Sequence, residues 1–328
     1  MASNTYEAIG NKYDVSDVIT NISPDDTPLY SSLGTSRATQ VIHEWLEDSL
    51  GEAQTNKKVE GYEYTTTKAT PRRRLNNYTQ IMDRSIEVTD TQEAVQHYGV
   101  RSEIAYQMRM KLTELAFDCE QALITQDAKE LGDMETARQF GGIPYWIVEN
   151  VFDNDGSARD LTFDLINDAM EQTWGHGGRP TMLLVSPRNK RIISTFTAGN
   201  TKYMDGNETR KLTQMISVLE TDFGVLECKA DRFLTNDVVY GLSPEYMKKA
   251  FLRNFKTAEL PKTSDNIKKH VNGEWTLEMR AEKAHFAIKD LNGTLPSATP
   301  TETNGAGNSG NEGGNEGGNE GGNEGGNS

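Results

Sequence analysis

The feature that most constrains the fold is a long polar stretch, residues 49–77, that separates two β-strand patterns. Apolar and polar side chains alternate over residues 40–46, and a second strand is predicted over residues 78–88. The apolar members of the second strand are Ile81, Ile86 and Val88. The stretch between the strands has too few large apolar residues to form a core. Because such an excursion is uncommon inside a compact domain and is typical of an interacting loop, we predict a long hairpin that projects from the body.

The N-terminal segment, residues 1–37, also lacks a core of its own. A short helix is predicted over residues 16–22, with Ser16 as its cap and the Ser23-Pro24 pair ending it. Its apolar stripe consists of Val15, Val18, Ile19 and Ile22. A single stripe with no partner nearby in the sequence has to pack on the body or on another copy of the chain, so we predict an arm.

A long helix is predicted over residues 92–129, with Asp90 or Thr89 as its N-cap and Gly99 as a candidate break point. The face predicted to be buried consists of Ile104, Met108, Leu112, Leu115, Cys119 and Ala122. The residues assigned to other faces are Arg109, Lys111, Glu114, Asp118 and Glu120. A helix longer than the globular mean indicates the backbone element of something extended.

The rest of the folded part alternates between helix and strand patterns. The predicted elements are helix 161–174 closed by Gly175-His176-Gly177-Gly178, strand 182–185, a helix from Ser186-Pro187 to Phe196, and strands 215–220, 225–229 and 238–242. Two return strands follow, with Trp275, Leu277 and Met279 alternating in one and Ala284, Phe286 and Ile288 in the other. These patterns predict a mixed α and β fold.

From Asn292 on, the chain is almost entirely Gly, Asn, Glu, Ser and Thr, with Gly-Asn-Glu-Gly repeated four times between Gly310 and Gly325. Ordering such residues costs about 1–2 kcal/mol each, and no burial offsets that cost. Residues 292–328 are therefore predicted to be a disordered tail.

Composition excludes several functions. The net charge of −15, from 34 basic and 49 acidic residues, argues against a broad surface that neutralises nucleic-acid phosphates, although an acidic wall could enclose nucleic acid. No stretch approaches the ~18 apolar residues of a membrane helix, and the N-terminus has no secretion signal, so we expect folding in a cytoplasm. Cys119 and Cys228 lie among apolar neighbours and are predicted to be buried free thiols.

Catalytic motifs are missing from the sequence. The five histidines show no metal-binding spacing, and there is no GxSxG, GxGxxG or Walker loop. The segment Asp153–Gly156 begins like a calcium loop but lacks the bidentate glutamate, so it is interpreted as a turn. Asp83, Glu87 and Asp90 are assigned to the solvated face of a strand. We therefore expect no enzyme activity, no cofactor and no metal.

The cluster Arg72, Arg73 and Arg74 is the one local charge that stands out. It has three interpretations: a solvated loop, a contact with an acidic surface of a neighbouring subunit, and a nucleic-acid contact. The last ranks third because no aromatic stacking platform accompanies the arginines. The second is favoured by the acidity of the rest of the chain, so the three arginines are candidate contacts between subunits.

The order of arm, polar hairpin, long helix, α/β block and return strands resembles the major capsid protein fold of tailed bacteriophages, the Hong Kong 97 type. The local sequence is similar to a subfamily found in podovirus-like phages. The segments that carry this resemblance are residues 17–29 (DVITNISPDDTPL), 43–50 (HEWLEDSL), 77–81 (NYTQI), 91–95 (TQEAV), 183–187 (LLVSP), 222–224 (DFG), 255–260 (FKTAEL) and 282–285 (EKAH). The resemblance covers residues 5–291 and does not extend to the tail.

The resemblance implies an α+β fold divided into arm, extended loop, peripheral domain and axial domain. The implied boundaries are 1–38 for the arm, 39–88 for the extended loop, 89–150 with 245–291 for the peripheral domain and its spine helix, 151–244 for the axial domain, and 292–328 for the tail. Some family members cross-link a loop lysine to an asparagine of another subunit. Lys57, Lys58 and Lys68 lie in the corresponding loop, but no asparagine or catalytic acid is matched, so no cross-link is carried over.

The function implied is that of a shell subunit that assembles into hexamers and pentamers around phage double-stranded DNA, in a virion. The implied partners are further copies of the chain together with scaffolding, portal and decoration proteins. One alternative is an encapsulin-like compartment, which has the same fold and an enzyme cargo. A second is an α/β enzyme that uses the central block, which would need a pocket with convergent titratable groups.

Overall fold

The structure is a computed structural model that describes residues 27–48, 55–64, 71–95, 102–196 and 218–294. The helices are α1 (Pro28–Ser32), α2 (Asp90–Ala94), α3 (Glu103–Thr125), α4 (Ile143–Trp146), α5 (Phe163–Gly175) and α6 (Pro187–Phe196). The strands are β1 (Gly34–Arg37), β2 (Ile42–Glu47), β3 (Arg73–Tyr78), β4 (Gln80–Thr89), β5 (Val151–Phe152), β6 (Met182–Val185), β7 (Val218–Thr221), β8 (Gly224–Ala230), β9 (Val239–Leu242), β10 (Met247–Glu259), β11 (Asn266–Met279) and β12 (Phe286–Ile288). The predicted arm helix, residues 16–22, and the tail beyond residue 294 lie outside the described residues.

A four-stranded sheet combines strands from the two ends of the folded chain, in the order β1-β10-β11-β4. β10 and β11 form a long antiparallel pair, and β1 joins β10 in parallel, with Gly34 opposite Lys248. Helix α3 packs on one face of this sheet, where Met82 and Cys119 are buried together and Arg84 binds Asp118 at 2.6 Å. This face and α3 form the first core.

A six-stranded sheet follows the order β5-β12-β9-β6-β8-β7. Its central strand β6 is buried on both faces, which explains the unbroken apolar run Met-Leu-Leu-Val. Leu183 and Val185 pack in a second core with residues of α5 and α6, while Met182 and Leu184 belong to the first core. The start of α6 and the glycine-rich segment after α5 agree with the predicted positions. The hairpin differs from the prediction: β2 pairs with β3, which lies at the end of the predicted polar stretch, whereas the predicted second strand, residues 78–88, is β4 and pairs with β11.

The predicted long helix is two helices. Thr89 caps α2, accepting a hydrogen bond from the Gln92 backbone, and Ser102 caps α3 in the same way through Ala105. Thr89 rather than Asp90 is therefore the first cap, and Asp90 is the first residue of α2. The break falls between Ala94 and Glu103, a region whose residues 96–101 lie outside the described part.

Several side chains expected on apolar faces are exposed. Ile81 is 51% exposed because the α3 side of β4 carries the even-numbered residues, Met82, Ile86 and Val88. Leu112 on α3 and Trp174 on α5 are 44% and 52% exposed. Strand β10 was not among the predicted elements, because two register irregularities between Phe251 and Lys256 interrupt its alternation.

Candidate assembly surface

The β2–β3 hairpin presents one face to the body and one to solvent. On the inner face, Trp45 is buried and its ring lies 5.3 Å from the ring of Trp146. On the outer face, Ile42 and Leu46 are 40% and 59% exposed. Two apolar side chains on a solvent-facing strand are not needed for the fold of one chain, so this face is a candidate surface for contact with another copy.

The three candidate arginines lie on or beside β3 of this hairpin. Arg72 Nε lies 3.2 Å from Asp48 Oδ2, and Arg74 Nη1 lies 3.6 Å from Glu44 Oε2. Arg73 is exposed too, and the side chains of Arg72 and Arg74 are 66% and 69% exposed. Exposed pairs of this kind contribute about 0–1 kcal/mol each and leave guanidinium N–H groups free for further acceptors. The structure thus displays the cluster, and its contact with a neighbouring subunit stays a prediction.

A buried carboxylate, Glu278 on β11, fixes the base of the hairpin to the four-stranded sheet. It accepts hydrogen bonds from Ser36 Oγ at 2.9 Å, from His43 Nε2 at 3.1 Å and from Arg280. Burial alone would raise the pKa of Glu278, but the hydrogen bonds from His43, Ser36 and Arg280 outweigh burial and hold that pKa at about 2. The carboxylate is therefore ionised at neutral pH and orients β1 and β2 together.

A second buried acidic side chain, the carboxyl group of Glu120 on α3, holds the start of helix α1. Its two oxygens accept the backbone N–H groups of Leu29 at 2.8 Å and Tyr30 at 2.6 Å. These are N–H groups of the first turn of α1, which have no partner within the helix. Lys249 adds a hydrogen bond to the Tyr30 carbonyl at 2.7 Å. Helix α1, which lies in the C-terminal part of the predicted arm, is thus bound to α3 and β10.

The assignment of Glu120 to a face of the helix other than the buried one is wrong, since the residue is 0% exposed. Burial, followed by the interaction with Asp231, raises the pKa of Glu120 to about 9. A glutamate next to a buried cysteine on an amphipathic helix gives no local sign of burial. Its partners are backbone groups about ninety residues earlier in the chain, which no helical spacing reveals.

The remaining polar side chains singled out by the sequence have structural roles. His43 and His176 bond side chains of the fold, and buried His285 accepts the Ser243 N–H, with burial lowering its pKa to about 4. Asp155 and Gly156 form the predicted turn, both with positive φ. Across the described residues, no three His, Cys, Asp or Glu side chains are placed to hold a metal ion. No described helix is both long and apolar enough to span a membrane.

Both cysteines are buried and free, as predicted. Burial raises the pKa of Cys119 to about 12 and also raises that of Cys228. Neither thiol is therefore a nucleophile at neutral pH.

Comparisons with known proteins agree with this arrangement. Among curated proteins, the major capsid protein of Escherichia phage Phieco32 is 24% identical over 332 residues, covering 86% of this chain and 93% of the phage protein. The cyanophage A-1(L) capsid subunit superposes with a TM-score of 0.62 at 10% identity, over 86% of this chain and 97% of that one. The SrpI encapsulin of Synechococcus elongatus PCC 7942 gives 0.56 at 10% identity, over 90% and 98%.

The two structural likenesses concern the fold alone at such identities, and they confirm the expected Hong Kong 97-like capsid fold. They do not separate a phage capsid from an encapsulin, because both share that fold. The family described as SU10 major capsid protein makes this distinction, and it matches residues 2–292. Since that match spans all the described residues but the last two, the chain belongs to the SU10 major capsid protein family and is a shell subunit of a phage capsid.

Proposed function

We propose that copies of this chain close into hexamers and pentamers, and that these form an icosahedral head shell around double-stranded DNA. The observation that carries the proposal is the β2–β3 hairpin, on which Ile42, Leu46 and the arginine cluster are exposed. The charge of −15 suits a wall that repels the DNA backbone and leaves the DNA mobile. The chain has no catalytic role in this proposal.

The proposed division of labour follows the expected boundaries. Residues 151–244 form the axial domain around the five- and six-fold centres, and residues 89–150 with 245–291 form the peripheral domain. Strand β12, at the end of the second peripheral segment, hydrogen-bonds within the six-stranded sheet and so ties the two domains together. Scaffolding, portal and decoration proteins are the proposed partners, and the bacterial cytoplasm is the proposed place of assembly.

Electron microscopy of the purified chain tests this function directly. We expect closed particles, each subunit burying far more than the ~800 Å² per partner of a standard interface. A chain that stays monomeric at high concentration with any scaffold contradicts the proposal. Particles found to contain an enzyme cargo and no DNA in their natural host would favour the encapsulin alternative.

Replacing Arg72, Arg73 and Arg74 with alanine is expected to lower the assembly yield modestly. Exposed pairs contribute about 0–1 kcal/mol each, so the effect depends on their number and on salt. The measurement is particle yield across a salt series, with the triple lysine variant as a control that keeps the charge. A triple alanine variant with the yield and salt dependence of the parent would mean that the cluster is only solvated.

Deleting the chain from Asn304 onward is expected to leave folding and shell formation intact. The deleted residues have no large apolar side chain and only acidic charges, so neither a core nor an interface is lost. We propose that the tail faces outward, since its charge would repel packaged DNA. Loss of subunit solubility after deletion contradicts the first statement, and a tail that survives protease on closed particles contradicts the second.

A further inference from the structure

One face of α3 carries helix α1 at one end and is open at the other. Glu120 lies on this face, where its carboxyl group accepts the backbone N–H groups of Leu29 and Tyr30. Phe117 and Thr113 precede Glu120 by three and seven residues, so they lie on the same face of the helix. This face therefore continues beyond α1 toward the N-terminal end of α3.

The open part of this face is a groove with an apolar floor. It is lined by Arg109, Leu112, Thr113, Ala116 and Phe117 of α3 and by Thr27. Leu112 is exposed there, although the sequence pattern predicted its burial. The Phe117 ring lies 5.8 Å from the ring of Phe233, which extends the apolar surface. Because Thr27 borders the groove and is the first residue that the structure describes, the preceding residues join the chain at this place.

The segment before Thr27 has the pattern and the length to fill the groove. The arm stripe consists of Val15, Val18, Ile19 and Ile22, on one side of the helix predicted over residues 16–22. The chain between Ile22 and Thr27 can span at most about 17 Å. At 1.5 Å per residue, the predicted helix is about 10 Å long, and α3 from Arg109 to Phe117 is about 12 Å long. The stripe is thus tethered within reach of a groove of its own length.

Charge also favours this pairing. Arg109 is exposed in the groove, and the Arg232 guanidinium lies 5.9 Å from the centre of the Phe117 ring. Neither arginine forms an ion pair with a carboxylate of the described residues, whereas the carboxylates on the neighbouring face of α3 are bound to cations. Residues 13–26 carry four aspartates and no lysine or arginine. An acidic segment is attracted to a groove bordered by these two cations.

We propose that residues 15–22 of the arm dock in the groove on α3 of their own chain, with the arm stripe against Leu112, Ala116 and Phe117. The docked segment continues along α3 the path that α1 begins at Glu120. This inference goes beyond the proposed shell function, because it concerns each folded subunit before assembly.

The tether is the reason to assign the segment to its own chain. The competing occupants of the groove are the arm of a second copy and a different protein. A short flexible linker holds a segment at an effective concentration on the order of millimolar, far above that of a separate copy in dilute solution. Docking within the chain also removes two apolar surfaces from the solvent around an unassembled subunit.

Paired cysteines in the full chain test the contact. We expect Ile19→Cys with Leu112→Cys to form a disulfide within one chain at least about fivefold more completely than Thr20→Cys with Leu112→Cys. Position 20 has the same tether but lies off the stripe, which makes the second pair the matched control. The unassembled subunit is oxidised with oxidised glutathione, and Cys119 and Cys228 stay unreactive because they are buried. Non-reducing electrophoresis separates a disulfide within one chain from one between two chains, and mass spectrometry of the peptides identifies the linked residues.

Thiol labelling measures the same docking without a cross-link. Ala116→Cys should react slowly with a maleimide, and adding Val18→Asp with Ile19→Asp should raise its rate about tenfold, because the charged segment no longer covers the groove. Gln121→Cys, exposed on another face of α3, should react at the same rate with either arm. Circular dichroism of each unassembled variant checks that the body remains folded.

The inference is overturned if the two cysteine pairs form the disulfide equally, if the cross-link joins two chains, or if the aspartate changes leave the labelling rate of Ala116→Cys unchanged. A subunit that shows the internal disulfide and the protected groove but forms no particles would instead overturn the proposed function. The two failures are therefore distinguishable.

Discussion

Alanine in place of Trp275 is expected to lower the free energy of unfolding by about 3–5 kcal/mol and to leave little soluble subunit. The indole is fully buried in the first core, where its ring centroid lies 4.9 Å from that of Phe140, 5.5 Å from Tyr30 and 6.3 Å from Phe251. These rings come from four separate parts of the chain. The truncation therefore leaves a cavity that no single segment can collapse to fill.

The measurement is urea unfolding of the unassembled subunit followed by fluorescence and circular dichroism. Trp174→Ala is the matched control, because that residue is 52% exposed and its ring lies 6.1 Å from that of Phe223, near the surface. We expect the control to cost less than ~1.5 kcal/mol. Equal losses for the two tryptophans would mean that the packing around Trp275 does not hold the sheet to α3.

The second large effect is expected for Glu120→Leu, which should cost about 2–4 kcal/mol. The change leaves the buried N–H groups of Leu29 and Tyr30 without acceptors, and each unsatisfied donor costs about 1–3 kcal/mol. Glu114→Leu on the same helix is the control, since the Glu114 carboxylate is 36% exposed in a surface ion pair with Lys111. A loss for Glu120→Leu no larger than for the control would mean that the root of the arm is held by packing alone.

The same residue gives stability a pH dependence whose sign follows from its pKa. The folded pKa of about 9 lies above the ordinary value of 4.5, so the fold favours the neutral carboxyl group. This contribution is fully present below pH 4.5 and is lost as the pH rises toward 9. Urea unfolding between pH 5 and pH 9 should show a decline for the parent that is absent in Glu120→Leu. Lys249 and Asp231, the titratable residues that face Glu120, are not mutated in either protein.

Local patterns predicted the elements that depend on neighbours in sequence. The apolar run of β6, the proline start of α6 and the alternation that places His43 and Trp45 on one face of β2 are each decided within a few residues, and the structure agrees with them. Glu120 and strand β10 were missed for the opposite reason. The burial of Glu120 depends on backbone groups far away in sequence, and β10 depends on pairing with β11 that overrides its polar composition.

The candidate site divides in the same way. Arg72, Arg73 and Arg74 were predictable as a displayed cluster, because charge density is a local property of the sequence. The acidic surface of the loop of residues 126–139 was not predictable, because it arises only when Lys129 and Arg138 turn inward to Asn76 and Glu274. A count of charges over residues 126–139 cannot show which of them face solvent.

The pairing of β1 with β10 has a consequence for the order in which a newly made chain folds. Strand β1 can pair only after β10 has been made, because Gly34 lies opposite Lys248. The six-stranded sheet likewise contains β12, which lies near the end of the folded part. At a synthesis rate of 5–20 residues per second, roughly 10–40 s pass between the two strands leaving the ribosome. During that time neither sheet is complete, and contacts of such high sequence separation form slowly even afterwards. Both larger sheets can therefore be completed only after almost all of the folded part of the chain has been synthesised.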